Sequence, residues 1–249
     1  HNINLPPEVN AGDLLVIYFL ANSLNLNTGA LPDGWETLSV SGFGTYAVVA
    51  KKAIGAEGGG TVSFSTTGSS SVVGAVHRIT NWYGDIADGV AISSPFSGTS
   101  ANPNFPSFNP SAWDVEDTVW VTLATWRSSA NLNSQSSGYT SLGISQSGVT
   151  PRSSSAKLEL AATSEAPGAY TLSESSSWVT LTLAIRPSNI HHITGTGSLG
   201  IQGQGLVSLD HELSGGAQVE IDATGTIAGG LAVLEGGAEV GIQGVGEIR

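Results

Sequence analysis

The chain has no cysteine and no methionine, and only 11% of its 249 residues are charged. A typical soluble domain carries about 25%. Without cysteine there is no disulfide framework and no thiolate metal or redox site. Positive charge is scarce: 8 Lys and Arg stand against 20 Asp and Glu, a formal net charge of −12. A chain of that sign repels phosphate backbones, which excludes nucleic acid as a general partner. Long apolar runs are missing as well. The longest, Leu14 to Ala21, falls far short of the ~20 residues of a membrane-spanning helix, so no membrane partner is expected. No signal peptide is visible, and the first residue is His1 rather than Met, which reads as a trimmed chain.

Helical patterning is nearly absent. What is present is β: short β-branched or aromatic segments bounded by Gly, Ser, Asn and Pro. The pattern predicts strands at Asp13–Ala21, Trp35–Val40, Thr45–Ala53, Thr61–Ser65, Val72–Ile79, Thr118–Trp126, Thr140–Ser145, Ala156–Ala161, Tyr170–Ser173 and Trp178–Ile185. Many short strands with such turns define an all-β, antiparallel sandwich or jelly-roll-like domain.

The chain also repeats itself. Gly34-Trp35-Glu36-Thr37-Leu38 resembles Gly138-Tyr139-Thr140-Ser141-Leu142, 104 residues later. The same offset lays Asp13-Leu14-Leu15-Val16-Ile17 on Asp117-Thr118-Val119-Trp120-Val121. Further on, Glu57 falls on Glu165 and Arg78 on Arg186, 108 residues apart. Two halves, about 11–80 and 115–187, are expected, each with one apolar face turned to the other. The alternative is that a simple β composition mimics a repeat. Between the halves, Pro95, Pro103, Pro106 and Pro110 exclude a central strand. That segment reads as an extended crossing along a sheet edge or as a plain surface loop.

After Pro187 the texture changes. From residue 188 onward Trp, Tyr, Phe and Lys disappear and Gly becomes dense. This predicts two domains, 1–187 and 188–249. In the second, Ile-x-(Gly/Ala)-x-Gly-x-apolar occurs four times, at Ile193–Leu199, Ile201–Val207, Ile221–Ile227 and Ile242–Ile248. Units begin at Ile193, Leu213 and Leu234. Within them the apolar residues alternate with period two, so Ile193 to Val207 reads as one face of a strand. Glycines at fixed positions on that face suit close approach of another backbone. Ile193, Leu199, Ile201, Val207, Val219, Ile221, Ile227, Val240, Ile242 and Ile248 are therefore expected to form an assembly interface. A self-contained meander or short solenoid, or a flexible tail, are the competing readings.

Chemistry-bearing constellations are thin. His191-His192 point to opposite faces of a strand, and Asp210-His211-Glu212 reads as a polar turn. His77 reads as a satisfied core or rim histidine. The serine tracts Ser69–Ser71 and Ser175–Ser177 read as turns, and no nucleophile elbow occurs. Asp85, Asp88, Asp114, Glu116 and Asp117 sit in turn-like settings rather than as a glycosidase pair. The Asp85–Gly89 stretch lacks the ligand density of a Ca²⁺ loop. Gly55–Gly60 is not followed by Lys-Ser/Thr, so it is no phosphate loop. The expectation is no catalytic residue, no metal, no cofactor and no enzyme activity. Trp82-Tyr83, between Asn81 and Gly84, reads as a loop aromatic pair that is exposed and stacks on a sugar, touches another subunit or caps a sandwich end.

Three runs carry a family likeness: Ala11-Gly12-Asp13-Leu14-Leu15-Val16, Leu31-Pro32-Asp33-Gly34-Trp35 and Val49-Ala50-Lys51-Lys52. Together with Ala112-Trp113-Asp114-Val115-Glu116-Asp117 they resemble β-sandwich proteins of tailed-bacteriophage virions. The Ile193-Thr-Gly-Thr-Gly-Ser-Leu repeat resembles the Gly-rich tails of such proteins. The resemblance implies a non-enzymatic virion component on the particle exterior: capsid decoration first, a fibre or tail accessory protein next. Its partners would be other virion proteins and copies of itself. A secreted or cell-surface carbohydrate-binding module is the alternative.

Overall fold

The computed structural model describes residues 1–21, 31–40, 46–65, 71–111, 113–146 and 150–188. Beyond these it describes 191–194, 198–204, 207–209, 211–215, 218–224, 227–229, 234–236 and 239–245. The chain divides into two compact units, His1–Pro187 and Ser188–Arg249.

The first unit is nearly all β. Its first half holds β1 (Asn2–Asn4), β2 (Ala11–Ala21), β3 (Glu36–Val40), β4 (Tyr46–Ile54), β5 (Thr61–Ser63) and β6 (Val72–Ile79). A single helical turn, α1 (Ile86–Gly89), and the short strands β7 (Val90–Ile92) and β8 (Phe96–Ser100) follow. The second half holds β9 (Asp117–Trp126), β10 (Leu132–Ser134), β11 (Thr140–Gln146), β12 (Arg152–Ala161), β13 (Thr171–Leu172) and β14 (Ser176–Ile185).

Two antiparallel sheets result. One has the order β3-β4-β2-β6; the other runs β11-β12-β9-β14-β7, with β8 also on β14. The four-strand orders correspond element for element. So do the details. Gly34 and Gly138 both take positive φ, +80° and +82°. The turn N–H of Trp35 donates to Pro32 O at 3.1 Å, and that of Tyr139 to Ser136 O at 3.2 Å. Both following strands shift register at the same place, between Thr37 and Ser39 and between Ser141 and Gly143.

One alignment is corrected. The pairs Val16↔His77, Ile17↔Val76 and Tyr18↔Ala75 are matched by Val119↔Ile185, Trp120↔Ala184 and Val121↔Leu183. Val16 thus corresponds to Val119, not to Trp120, and Asp13 to Glu116, not to Asp117. A one-residue slip turns every side chain to the opposite face, and sequence identity at Asp117 concealed it.

The expectation of one apolar face per half is also corrected: each sheet is buried on both faces. Asp13 to Leu20 are buried without a break. Leu14, Val16, Tyr18 and Leu20 pack between the sheets with Val121, Leu123, Leu181 and Leu183. The intervening Leu15, Ile17 and Phe19 pack outward with Val62 and Phe64, beneath the β1–β5 pair. In the second half Ala124, Trp126, Ala156 and Trp178 pack outward with Tyr170, Leu172 and Phe105, beneath the β10–β13 pair. A continuous apolar run is the pattern of a strand covered on both sides. Each large side chain so buried contributes about 1.5–3 kcal/mol.

The proline-rich segment covers this outer face rather than lying only at an edge. β8 pairs with β14. Then Asn104 O and Pro106 O accept from the Thr180 and Thr182 hydroxyls, at 2.5 and 2.9 Å. Threonines on a buried strand face are satisfied this way without leaving a bare polar group.

The second unit holds β15 (His191–Thr194), β16 (Ser198–Gln204), β17 (Val207–Leu209), β18 (His211–Gly215), β19 (Gln218–Thr224), β20 (Ile227–Gly229), β21 (Leu234–Gly236) and β22 (Glu239–Val245). All its pairings among the described residues are parallel: β15-β18-β21, β16-β19-β22 and β17-β20. Every third strand therefore meets its counterpart in the next unit, the pairing of a short parallel solenoid. The single strand expected from Ile193 to Val207 is corrected to three, which lie in three separate sheets.

Candidate functional site

Two ion pairs mark equivalent ends of the two halves. In the first, Arg78 Nε donates to Asp13 Oδ2 at 2.6 Å, and the same oxygen accepts from the Asn10 N–H at 2.7 Å. In the second, Arg186 holds Glu116 through two bonds, Nε to Oε2 at 2.8 Å and Nη2 to Oε1. The Arg186 guanidinium also lies 4.5 Å from the Tyr83 ring centroid and 5.4 Å from that of Trp113. A bidentate, stacked arginine is stronger than a single contact. The hydrogen bonds that Arg186 donates to Glu116 raise the Arg186 pKa further above its ordinary value. Glu57 and Glu165, matched in the sequence, differ in role. Glu57 accepts from the Gly55 N–H at 2.9 Å and sits 3.0 Å from Lys51 Nζ. Glu165 accepts from the Tyr139 hydroxyl at 3.3 Å.

Trp82 is not an exposed platform. It is 5% exposed, packs in the core between the sheets, and its Nε1 donates to Gly12 O at 2.7 Å. A polar-flanked loop signalled exposure, but an isolated bridge from Trp82 to Pro187 folds the indole inward. Tyr83 is half-buried, its ring beneath Arg186. The two rings therefore serve the end of the sandwich, and neither presents a bare face with the other.

The strand β6 carries the largest departure from the expected picture. Its only ladder partner among the described residues is β2, so it is a sheet edge. Two adjoining hollows run along it and share Val76, His77 and Leu142. One, of about 680 Å³, lies between β6, the β1 segment and Leu142–Ser145 of β11. The other, of about 760 Å³, enters between the sheets and reaches Val16, Val119, Val121, Leu183 and Ile185. Leu142 and Ile144, which line the first hollow, stand 38% and 55% exposed. His77 is not the satisfied histidine expected: its Nε2 is buried and has no hydrogen-bond partner. Burial lowers its pKa to about 4, because a charged imidazolium loses its hydration there.

The acids do not converge. Asp85 caps α1, its Oδ1 accepting from the N–H groups of Ala87 and Asp88 at 2.9 and 3.2 Å. Such capping is ordinary for Asp at a helix start. No group of three or more metal-ligating side chains occurs among the described residues. Ser176 and Ser177 lie in β14 rather than in a turn, while residues 69 and 70 lie outside the described residues.

In the second unit the expected interface residues fall into register. Ile193 pairs with Leu213 and Leu213 with Leu234. Leu199, Val219 and Val240 form one column, and Ile201, Ile221 and Ile242 another. Val207 pairs with Ile227. Ile248 lies outside the described residues. His211 and Glu212 belong to β18, not to a turn, and pair with His191 and His192.

No protein-family model matches this chain, and comparison with curated proteins and with solved structures finds no match either.

Proposed function

We propose that this protein is a non-enzymatic structural component of a phage virion, on the particle exterior, with capsid decoration as the leading role and a fibre or tail accessory role next. The observation that carries the reading is the second unit. Its units pair strand for strand in parallel, with Ile201, Ile221 and Ile242 in one column. Such a stack grows by nearest-neighbour contacts and offers open strand edges to copies or partners. The net charge of −12 suits a soluble outer surface and disfavours a position beside packaged DNA. The partners are other virion proteins and copies of this chain.

The test is the composition of purified particles. The protein should co-sediment with them in a copy number fixed by the particle symmetry. A chain lacking residues 188–249 should stay folded and fall from the particle. Absence of the full-length protein from washed particles would overturn the reading.

A further inference from the structure

We propose that the hollow between the two sheets beside β6 is a binding site for an uncharged, largely apolar small molecule, and that His77 meets its one hydrogen-bonding group. The duplication carries the argument. The inward residues of β6 alternate as Val73, Ala75, His77 and Ile79. In the second half, the positions of Ala75 and His77 belong to Leu183 and Ile185. Both of these are 1% exposed and fill the core. The first half replaces two aliphatic side chains with a methyl group and an imidazole. The smaller side chains widen the edge that His77 lines in the hollow of about 760 Å³ and that Ala75 lines in the adjoining one; the larger hollow is within the ~300–1,000 Å³ of small-molecule pockets.

The walls state the ligand's chemistry. Val16, Val119, Val121, Leu142, Leu183 and Ile185 make one part of the wall aliphatic, and Arg78, Thr80, Asn81, Asp117, Lys157, Glu159 and Arg186 line the rest. The buried, unpartnered Nε2 of His77 adjoins the aliphatic part, and a buried polar atom without a partner is unfavourable until one arrives. Each cation on the walls is already held by an acid: Arg78 by Asp13, Lys157 by Glu159 and Arg186 by Glu116. Asp117, exposed on the lining, has no such partner among the described residues. An anion therefore finds no free positive charge, and a cation inside would face an aliphatic wall. A neutral molecule fits both constraints.

The test uses the full chain and N-phenyl-1-naphthylamine, a neutral apolar fluorophore. The wild type should bind it saturably at one site per chain. The double variant Ala75→Leu/His77→Ile installs the packing of the second half. It should remain folded and bind at least tenfold more weakly. Val119→Phe narrows the same hollow from the opposite sheet and should do likewise, so misfolding of one variant leaves the other to decide. Octan-1-ol should displace the probe from the wild type, and about tenfold more should be needed with His77→Leu. Equal displacement would remove His77 from the site. Lack of saturable binding, or undiminished binding by the filled variants, sinks the proposal. So does a wild type that excludes the probe but self-associates in sedimentation velocity, which would assign the hollow to a second copy. Particle association is a separate measurement, so failure here leaves the virion reading intact.

Discussion

The two halves of the sandwich share strand order, turn glycine, register shift and ion pair, yet only one has a filled inner edge. β14 closes its side with Leu181, Leu183 and Ile185, whereas β6 offers Ala75 and His77. β14 also gains β7 and β8 as neighbours, while β6 remains an edge among the described residues. Duplicated architecture therefore does not mean duplicated packing. The framework of turns and ion pairs is retained in both halves, and the difference is concentrated where side-chain volume is lost.

The largest test asks whether the halves are one cooperative body. Leu14 and Leu123 are both fully buried in the core between the sheets. Leu14→Ala and Leu123→Ala should each cost about 2–5 kcal/mol. If the halves fold as one unit, each variant shifts a single unfolding transition in urea, monitored by tryptophan fluorescence. Two separated transitions would break the comparison into independent domains.

The next test concerns pH. The folded pKa of His77 is lowered to about 4 from 6.5. The unfolded chain thus takes up the proton first as pH falls, and His77 favours folding fully above about 6.5. That contribution is lost between 6.5 and 4, and below 4 it no longer changes. The loss amounts to at most about 3 kcal/mol. Melting of the wild type should fall more steeply across this window than that of Ala75→Leu/His77→Ile. The groups facing His77 across the hollow, Asp117, Lys157 and Glu159, remain in both proteins, so the difference isolates the imidazole.

Legibility in the sequence followed the same division. Strands announced themselves through β-branched runs between turn residues, and Gly34-Trp35 with Gly138-Tyr139 disclosed the repeat. The unbroken run from Leu14 to Leu20 already meant burial on both faces, although alternation elsewhere suggested one. The face assignment of β9 was not legible, because Asp117 matches Asp13 in identity while Glu116 matches it in position. In the second unit, spacings of 20 and 21 residues recorded the parallel register, but they do not state where a strand turns. The hollow was illegible for a different reason. Ala75 and His77 signify missing volume only when Leu183 and Ile185 are known to occupy the same places. Trp82 was misread because loop composition carries no trace of the Gly12 carbonyl that receives its N–H.

The ion pairs should separate the halves more mildly. Arg186→Ala loses two bonds to Glu116 and the stacking on Tyr83 and Trp113. Arg78→Ala loses the single bond to Asp13, which keeps the Asn10 N–H. A partly buried charge left alone is costly, so about 2–3 kcal/mol is expected for the first and about 1–2 kcal/mol for the second. Equal losses in denaturant titration would mean that neither the second bond nor the aromatic stack contributes.

The smallest contrast lies at the paired turn glycines. Both sit at φ near +80°, where a side chain meets backbone strain of about 1 kcal/mol. At Gly138 a new Cβ meets nothing within 4 Å, but at Gly34 it lies 3.3 Å from Lys51 Cε. Lys51 is flexible but held, its Nζ 3.0 Å from Glu57. Gly34→Ala should therefore destabilise by a few tenths of a kcal/mol more than Gly138→Ala, since moving Lys51 also loosens a pair worth about 0.2–1 kcal/mol. In the background Lys51→Ala the two glycine substitutions should become equal. A persistent difference would place the asymmetry in the turn itself, between Trp35 and Tyr139, rather than in the lysine that crosses only the first.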